Sequence, residues 1–276
     1  MNALIPAVLL LAQIVGGEFT YAVQPGDSLT SISARFGVDL HVLAEGNGLK
    51  ASDRLQASRA LKIDNRHIVP VVEDSDLVIN IPQRMLFHFD HGQIACACPI
   101  AAGSPGWRTP VGTFEIMLKE EKPTWDVPAS IQEEMRRSGK AVLTHVPPSP
   151  ENPLGEYWIG LNLPGIGIHG TSAPTSIYKL ATHGCIRLHP EDIRDLFSKV
   201  EVGMRGRVIY ETVLVVRTED SIFLEVHPDA YQKEPDPLRR VLDIAQSEGF
   251  LGMLDLPLVR EVIRKHDGIA RDVTRR

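Results

Sequence analysis

Apolar positions follow different rhythms in different parts of this chain. Near the start, Leu29, Ile32, Ser33 and Phe36 recur at the three- and four-residue spacing of one helix face. The turn Pro25-Gly26-Asp27 precedes them, Asp27 or Ser28 stands ready as N-cap, and Gly37 ends the helix. A short strand, Thr20 to Val23, comes before this helix. A second helix from about Asp39 to Glu45 follows it and stops at "GNG", and "RALKI" closes the unit as a strand. The order strand-helix-helix-strand predicts a small independent module.

Further on the rhythm changes to that of strands. Val78 to Ile81, Met85 to Phe89, Gln93 to Ile100 and Thr113 to Leu118 are apolar or alternating, and Asp90-His91-Gly92 reads as a hairpin turn. The stretch "KEEKPTWDVPASIQEEMRRSGKAVLTHVPPSPENPLG" is polar and proline-rich, with one short helix. Ser130 is its expected N-cap, Glu133 completes a capping box, and Gly139 is its stop. Such an insertion is either a wall over a site or a solvated excursion. Strands resume at "EYWIGLNLPGIGIHGT". Pro190 begins a helix with Glu191 and Asp192 in its first turn, and two strands flank the turn Glu219-Asp220-Ser221. From Pro228 onward "DPLRRVLDIAQSEGF" and "DLPLVREVIRKHDG" carry helical apolar stripes expected to pack back on a domain. The fold class is α+β, mainly β.

The chain of 276 residues is 43% hydrophobic and 23% charged, enough apolar material for more than one core. Its formal charge of -6 excludes a basic nucleic-acid face. Ala3 to Val15 is apolar, too short to span a bilayer and about right for a signal-peptide core. Gly16 and Gly17 could mark the cleavage zone, so residues 1–17 are expected to be an export leader, although no Lys or Arg precedes the apolar run. The alternative is a buried first element.

Cys96 and Cys98, two apart in "GQIACACPIAAG", read as small buried hydrophobes in a strand, because bridging so close a pair strains a disulfide. Cys185 is different. It ends a loop in "IHGTSAPTSIYKLATHGCIRLHPED", with His183 two residues before it and His169 sixteen before. A thiol near a histidine base is an activated nucleophile when a third group orients the base. No acid precedes Glu191 in this window, so a backbone carbonyl, that of Gly170, is the expected orienter. Gly184 allows close backbone approach, the Gly184 and Cys185 amides are candidate oxyanion donors, and Arg187 offers a fork for a carboxylate. These residues read as acyl transfer through a thioester. A structural cysteine beside core histidines, or a metal held by His169, His183, Cys185 and His189, remain the alternatives, though that spacing matches no common zinc pattern.

Two resemblances add to this reading. "YAVQPGDSLTSISARFGV", with "LAEGNGL" after it, resembles a LysM module, which implies a βααβ unit binding N-acetylglucosamine-containing glycans such as peptidoglycan. Its closing part departs, since "KASDRLQASRALKI" has no glycine before the last strand. "IHGT…SIYKLATHGCIRL" resembles the L,D-transpeptidase (YkuD) signature, with His183 fourteen positions after His169. "GSPGWRTPVGTFEI" and "NPLGEYWIGL" are similar to segments upstream of that signature. The resemblance implies a β-sandwich-like catalytic domain in which Cys185 is the nucleophile and His169 the base. His183 and Gly184 would shape the site and lie near the thiolate. Arg187, Gly170 and Thr182 would serve substrate binding. It implies no metal and no other cofactor.

The partners it implies are peptidoglycan glycan strands and stem peptides. The thioester passes to an amine of a second stem, to a lipoprotein lysine, or to water, the last making the enzyme a hydrolase. A non-catalytic wall-binding protein is the reading of another class. Arg187 stands where the stricter motif has Asn, and the helices after Pro228 match no motif. The expected division is a leader at 1–17, LysM at 18–64, the catalytic domain at 65–212 and an extension at 213–276, exported to the periplasm or cell wall.

Overall fold

The computed structural model describes residues 13–276, so residues 1–12 of the expected leader lie outside the described residues. Residues 13–17 are built into the fold. β1 (Ile14–Val15) pairs antiparallel with β4 (His67–Ile68), the Gln13 carbonyl accepts from Val69 N–H, and Gly17 N–H donates to Asn65 Oδ1.

Between them lies the N-terminal module. β2 (Glu18–Ala22) and β3 (Ala60–Asp64) pair antiparallel, and α1 (Leu29–Phe36) and α2 (Leu40–Gly46) come between them in the chain. Ser28 caps α1 in a reciprocal capping box with Ser31, and Asp39 caps α2. Leu29, Ile32, Leu43, Leu61 and Ile63 form its core.

The central sheet is built from β5 (Leu77–Asn80), β6 (Met85–Asp90), β7 (Gln93–Gly103), β8 (Gly112–Glu121) and then, beyond the insertion, five further strands. The insertion holds β9 (Trp125–Asp126), α3 (Ala129–Arg137) and β10 (His145–Val146), with β9 and β10 paired to each other. After it come β11 (Tyr157–Leu161), β12 (Gly167–His169), β13 (Leu180–Thr182), β14 (Ile186–Leu188), α4 (Pro190–Lys199) and β15 (Arg205–Ile209). The strand order is β13, β7, β14, β12, β11, β8, β15, β5, β6, and β6 also pairs with β7, so eight strands close a circuit. Strand β7 is long enough to do both. Its first part pairs with β6, and Ile100 and Ala101 at its end pair with β14. Ile100, Phe114, Ile159, Ile168, Ile186 and Leu196 meet in the main core.

The chain then forms a third unit. β16 (Val213–Arg217), β17 (Ile222–Val226), α5 (Pro237–Ser247), α6 (Leu256–Lys265) and β18 (Arg271–Asp272) enclose a core around Leu224, Val241, Phe250 and Val259. The chain therefore does not stay helical to its end. It returns as β18 to pair with β17.

Two other expectations are corrected. Helix α3 is preceded by Pro128 with no side-chain cap, so Ser130 lies inside it. Glu133 pairs with Arg136 and Arg137 instead of completing a capping box. Cys96 and Cys98 are joined as a disulfide, their Cα atoms 5.8 Å apart. That separation lies within the range a disulfide spans.

The three units meet at one buried cluster. Glu225 of β17 accepts from His67 Nδ1 and His227 Nε2, both at 2.7 Å, from Gln83 Nε2 at 3.1 Å and from Ile68 N–H at 2.5 Å. The other nitrogen of His67 meets the carbonyl of Gly37, at the end of α1, at 3.0 Å. With an acceptor at each nitrogen, His67 is an imidazolium. Burial pushes its pKa down, but the Glu225 charge and the two hydrogen bonds outweigh it and the net shift is upward. His227 has one acceptor and is held neutral by burial. Among the described residues these three side chains are the group close enough to share a cation. The imidazolium, with the Arg84 cation beside it, already supplies the positive charge.

Candidate active site

Strands β12 and β14 run parallel and adjacent, with Ile168 opposite Ile186 and His169 opposite Arg187. Ile168 and Ile186 are fully buried in the main core. Side chains alternate along a strand, so His169, Arg187 and the preceding Cys185 fall together on the other face. Sixteen residues of sequence separation are thus closed by one pair of strands.

His169 is 4% exposed and its Nδ1 lies 2.7 Å from the carbonyl oxygen of Gly170. A carbonyl only accepts, so Nδ1 carries the proton and Nε2 keeps a free lone pair. Burial, and after it the Arg187 cation, push the imidazole pKa down to about 3. Trp158 of β11 lies opposite His169, with ring centroids 5.9 Å apart and nearly parallel. Its indole covers Gly167, where a Cβ would stand 2.4 Å from two ring carbons, so only glycine fits beneath the ring.

Cys185 is the free cysteine, half-buried, and its Sγ donates to the Gly165 carbonyl at 3.4 Å. Burial pushes the thiol pKa up, opposed by a Gly167 backbone hydrogen bond and by Arg187. The resting pair is therefore thiol and neutral imidazole. The Cys185 loop is pinned from several sides. Thr182 Oγ1 donates to the Cys185 carbonyl at 2.6 Å and accepts from Gly184 N–H at 3.2 Å. Gly184 sits at φ 108°, which favours glycine, and its carbonyl accepts from Thr109 Oγ1 at 2.8 Å. Because Thr182 already takes the Gly184 amide, the Cys185 amide is the remaining oxyanion candidate of the expected two. Thr109 is itself held by Tyr231 of the third unit. The Tyr231 hydroxyl accepts from Thr109 N–H at 3.3 Å and donates to the Gly103 carbonyl at 2.6 Å.

Arg187 Nη1 donates to Ser176 Oγ at 2.9 Å, while its buried Nε has no partner. His183 makes its contacts with the insertion and with Trp107. Its Nε2 meets Glu134 of α3 at 2.8 Å, and its ring lies 5.0 Å from that of Trp107. Trp158, Gly167, Thr109, Tyr231, Ser176 and Glu134 were not anticipated as site residues. Thr109 lay within a quoted motif, and Trp158 shares the strand alternation of His169. Glu134 and Tyr231 have no signal in sequence, because only tertiary structure brings them here.

A mostly β scaffold that presents a cysteine, a neutral histidine and a half-buried arginine on one face defines a cysteine acyl-transfer enzyme. The sequence profile of the L,D-transpeptidase catalytic domain (YkuD) matches residues 74–215, and that of the LysM domain matches residues 21–64. "Probable L,D-transpeptidase YbiS" of Escherichia coli K12 is 31% identical over 223 residues, 78% of this chain and 72% of that protein. "Probable L,D-transpeptidase ErfK/SrfK" of Salmonella typhimurium is 30% identical over 261 residues, 93% of this chain and 82% of that protein. The ertapenem-acylated catalytic domain of an E. faecium L,D-transpeptidase overlays with a TM-score of 0.39 at 23% identity, over 51% of this chain and 100% of that one. The chain belongs to the YkuD family of L,D-transpeptidases, with a LysM domain ahead of the catalytic domain. Its activity is that of peptidoglycan crosslinking enzymes.

Proposed function

We propose that Cys185 attacks the carbonyl between the third residue of a tetrapeptide stem, a diamino acid, and its terminal D-Ala. The carbon–sulfur bond forms, the amide bond breaks and D-Ala leaves. His169 Nε2 takes the thiol proton and passes it to the departing amine. An amine of a second stem, or a lipoprotein lysine, then displaces the thiolate from the thioester, giving a 3→3 crosslink or an anchored lipoprotein. The Cys185 amide supports the oxyanion, Arg187 binds a stem carboxylate, and Thr182, Gly184 and Gly170 hold the loop and the base in place. The observation that carries this reading is the common face of His169 and Arg187 on two adjacent parallel strands, with Cys185 immediately before the second.

The proposed division is glycan binding by residues 18–64 in a βααβ LysM unit, catalysis by a sandwich-like domain at 65–212, and an extension at 213–276. Glycan attachment raises the local concentration of stems at Cys185. The protein works outside the cytoplasm, in the periplasm or cell wall. The pairing of β1 with β4 supports a leader cut before Gln13 over one at Gly17.

The test is incubation with a disaccharide-tetrapeptide, with and without an acceptor amine, read by mass spectrometry beside Cys185→Ala. Loss of D-Ala with a 3→3 dimer supports the transferase, and tripeptide alone indicates an L,D-carboxypeptidase. Turnover that survives in Cys185→Ala overturns the assignment.

A further inference from the structure

Helix α3 is held over the catalytic loop without burying any of its residues, so core packing does not explain its position. Its link to the loop is Glu134 Oε2 against His183 Nε2 at 2.8 Å. Below it is a cavity of about 560 Å³ lined by Ser104, Trp107, Glu134, Arg137, Thr182 and His183. It is a groove open to solvent, within the size range of small-molecule sites and roomy enough for an extended side chain. Thr182 and His183 lead directly into Gly184 and Cys185, so the cavity flanks the nucleophile along the chain.

The lining has a definite chemistry. Glu134 is its carboxylate, and Arg137, in the same lining, leans toward Glu133 at 3.9 Å. Trp107 is 43% exposed and offers an aromatic face. His183 Nε2 meets a carboxylate, which accepts, so a neutral ring keeps a lone pair at Nδ1. A carboxylate, an indole face and an imidazole nitrogen together recognise an organic ammonium. A primary alkylamine, with a lysine-like pKa of about 10.4, arrives in that form at neutral pH.

We propose that this cavity receives the acyl acceptor as an ammonium held by Glu134 and Trp107, which select an amine over water. His183 Nδ1 takes one proton, the freed amine attacks the thioester carbon, the carbon–sulfur bond breaks, and the second amine proton returns through His169 to the Cys185 thiolate. The inference rests on the acyl-enzyme reading above and names its second substrate. It assigns the polar insertion a function as the acceptor wall, and it favours transfer over hydrolysis.

The experiment forms the acyl-enzyme from a disaccharide-tetrapeptide and offers increasing concentrations of a primary alkylamine, or of the alcohol of the same length. Mass spectrometry reads the partition between transfer product and hydrolysed tripeptide for wild type, Glu134→Gln and Trp107→Ala. In wild type the amine diverts the acyl group and the alcohol does not. In Glu134→Gln the KM for the amine rises about tenfold or more, as expected for loss of a charged partner, and the amine-over-alcohol preference narrows. Trp107→Ala moves the partition the same way. Both variants partitioning like wild type would overturn the assignment of the cavity while leaving the acyl-enzyme intact. Failure of wild type to form any acyl-enzyme overturns the catalytic reading and this inference with it.

Discussion

At the scale of single residues, the site depends on charges that are absent at rest. His169 is held neutral down to about 3, and burial keeps the Cys185 thiol protonated through the ordinary thiol range. In the proposed mechanism thiolate therefore forms when the proton passes to His169 during attack, and not before substrate arrives. Acylation by a carbapenem, whose strained lactam mimics the donor, should show no acid limb near the ordinary histidine pKa of 6.5. Its rate should climb only on the alkaline side of 9.0, where the thiol begins to ionise unaided. A rate that halves near pH 6.5 would contradict this account. Cys185, His169 and Arg187 were legible in sequence as candidates because the proposed chemistry needs those residue types near one another. Trp158 and Gly167 were not, because the constraint between them is a ring stacked across two strands, and neither residue is reactive.

At the scale of elements, period and capping carried most of the prediction. The α1 face, the Ser28 cap and the Asp90–Gly92 hairpin are as expected, with His91 and Gly92 both at positive φ. The α3 start was misread because Ser130 and Glu133 mimic a capping box, while the backbone turns one step earlier at Pro128. The cysteine pair was misread because strain was judged from spacing alone, and β7 holds the two Cα atoms 5.8 Å apart. The extension after β15 does more than pack back on a domain. Tyr231, 1% exposed, ties the third unit to Gly103 and Thr109, and through Thr109 to Gly184. Tyr231→Phe leaves the ring in place and strands a buried carbonyl and an amide. The expected outcome is a loss of about 1–3 kcal/mol in urea unfolding. The carbapenem acylation rate should fall with it, since the loop bearing Cys185 loses a brace. Unchanged acylation in a destabilised variant would confine Tyr231 to a packing role.

At the scale of the molecule, the His67–Glu225–His227 cluster joins three units through buried charge. Glu225 is held at about 2, below its ordinary 4.5. Burial alone would raise it, but both histidines pull it down more strongly. Its contribution is thus present above pH 4.5 and lost as pH falls toward 2. The raised His67 contributes fully below 6.5 and is lost as pH rises through its folded value. Neutral His227 works in the opposite sense, with stability lost as pH falls below 6.5. Glu225→Gln leaves the imidazolium without its counter-charge and should destabilise the chain by about 3–5 kcal/mol at neutral pH. Urea unfolding across pH should show that the variant lacks the part of the acid loss between pH 4.5 and 2 that Glu225 carries in wild type. Equal stabilities and equal acid limbs would remove this cluster from the account of how the units are joined. By itself the sequence determined the modules, most strand and helix positions and the candidate thiol and imidazole, because periodicity, turn residues and reactive groups are local properties. Only the tertiary structure decided that His169 meets Arg187 across parallel strands, that Glu134 reaches His183 over 49 residues, and that Glu225 finds His67 over 158. Those pairings depend on how strands register and units dock, and burial together with the charges and hydrogen bonds they meet then sets the protonation of the buried ones.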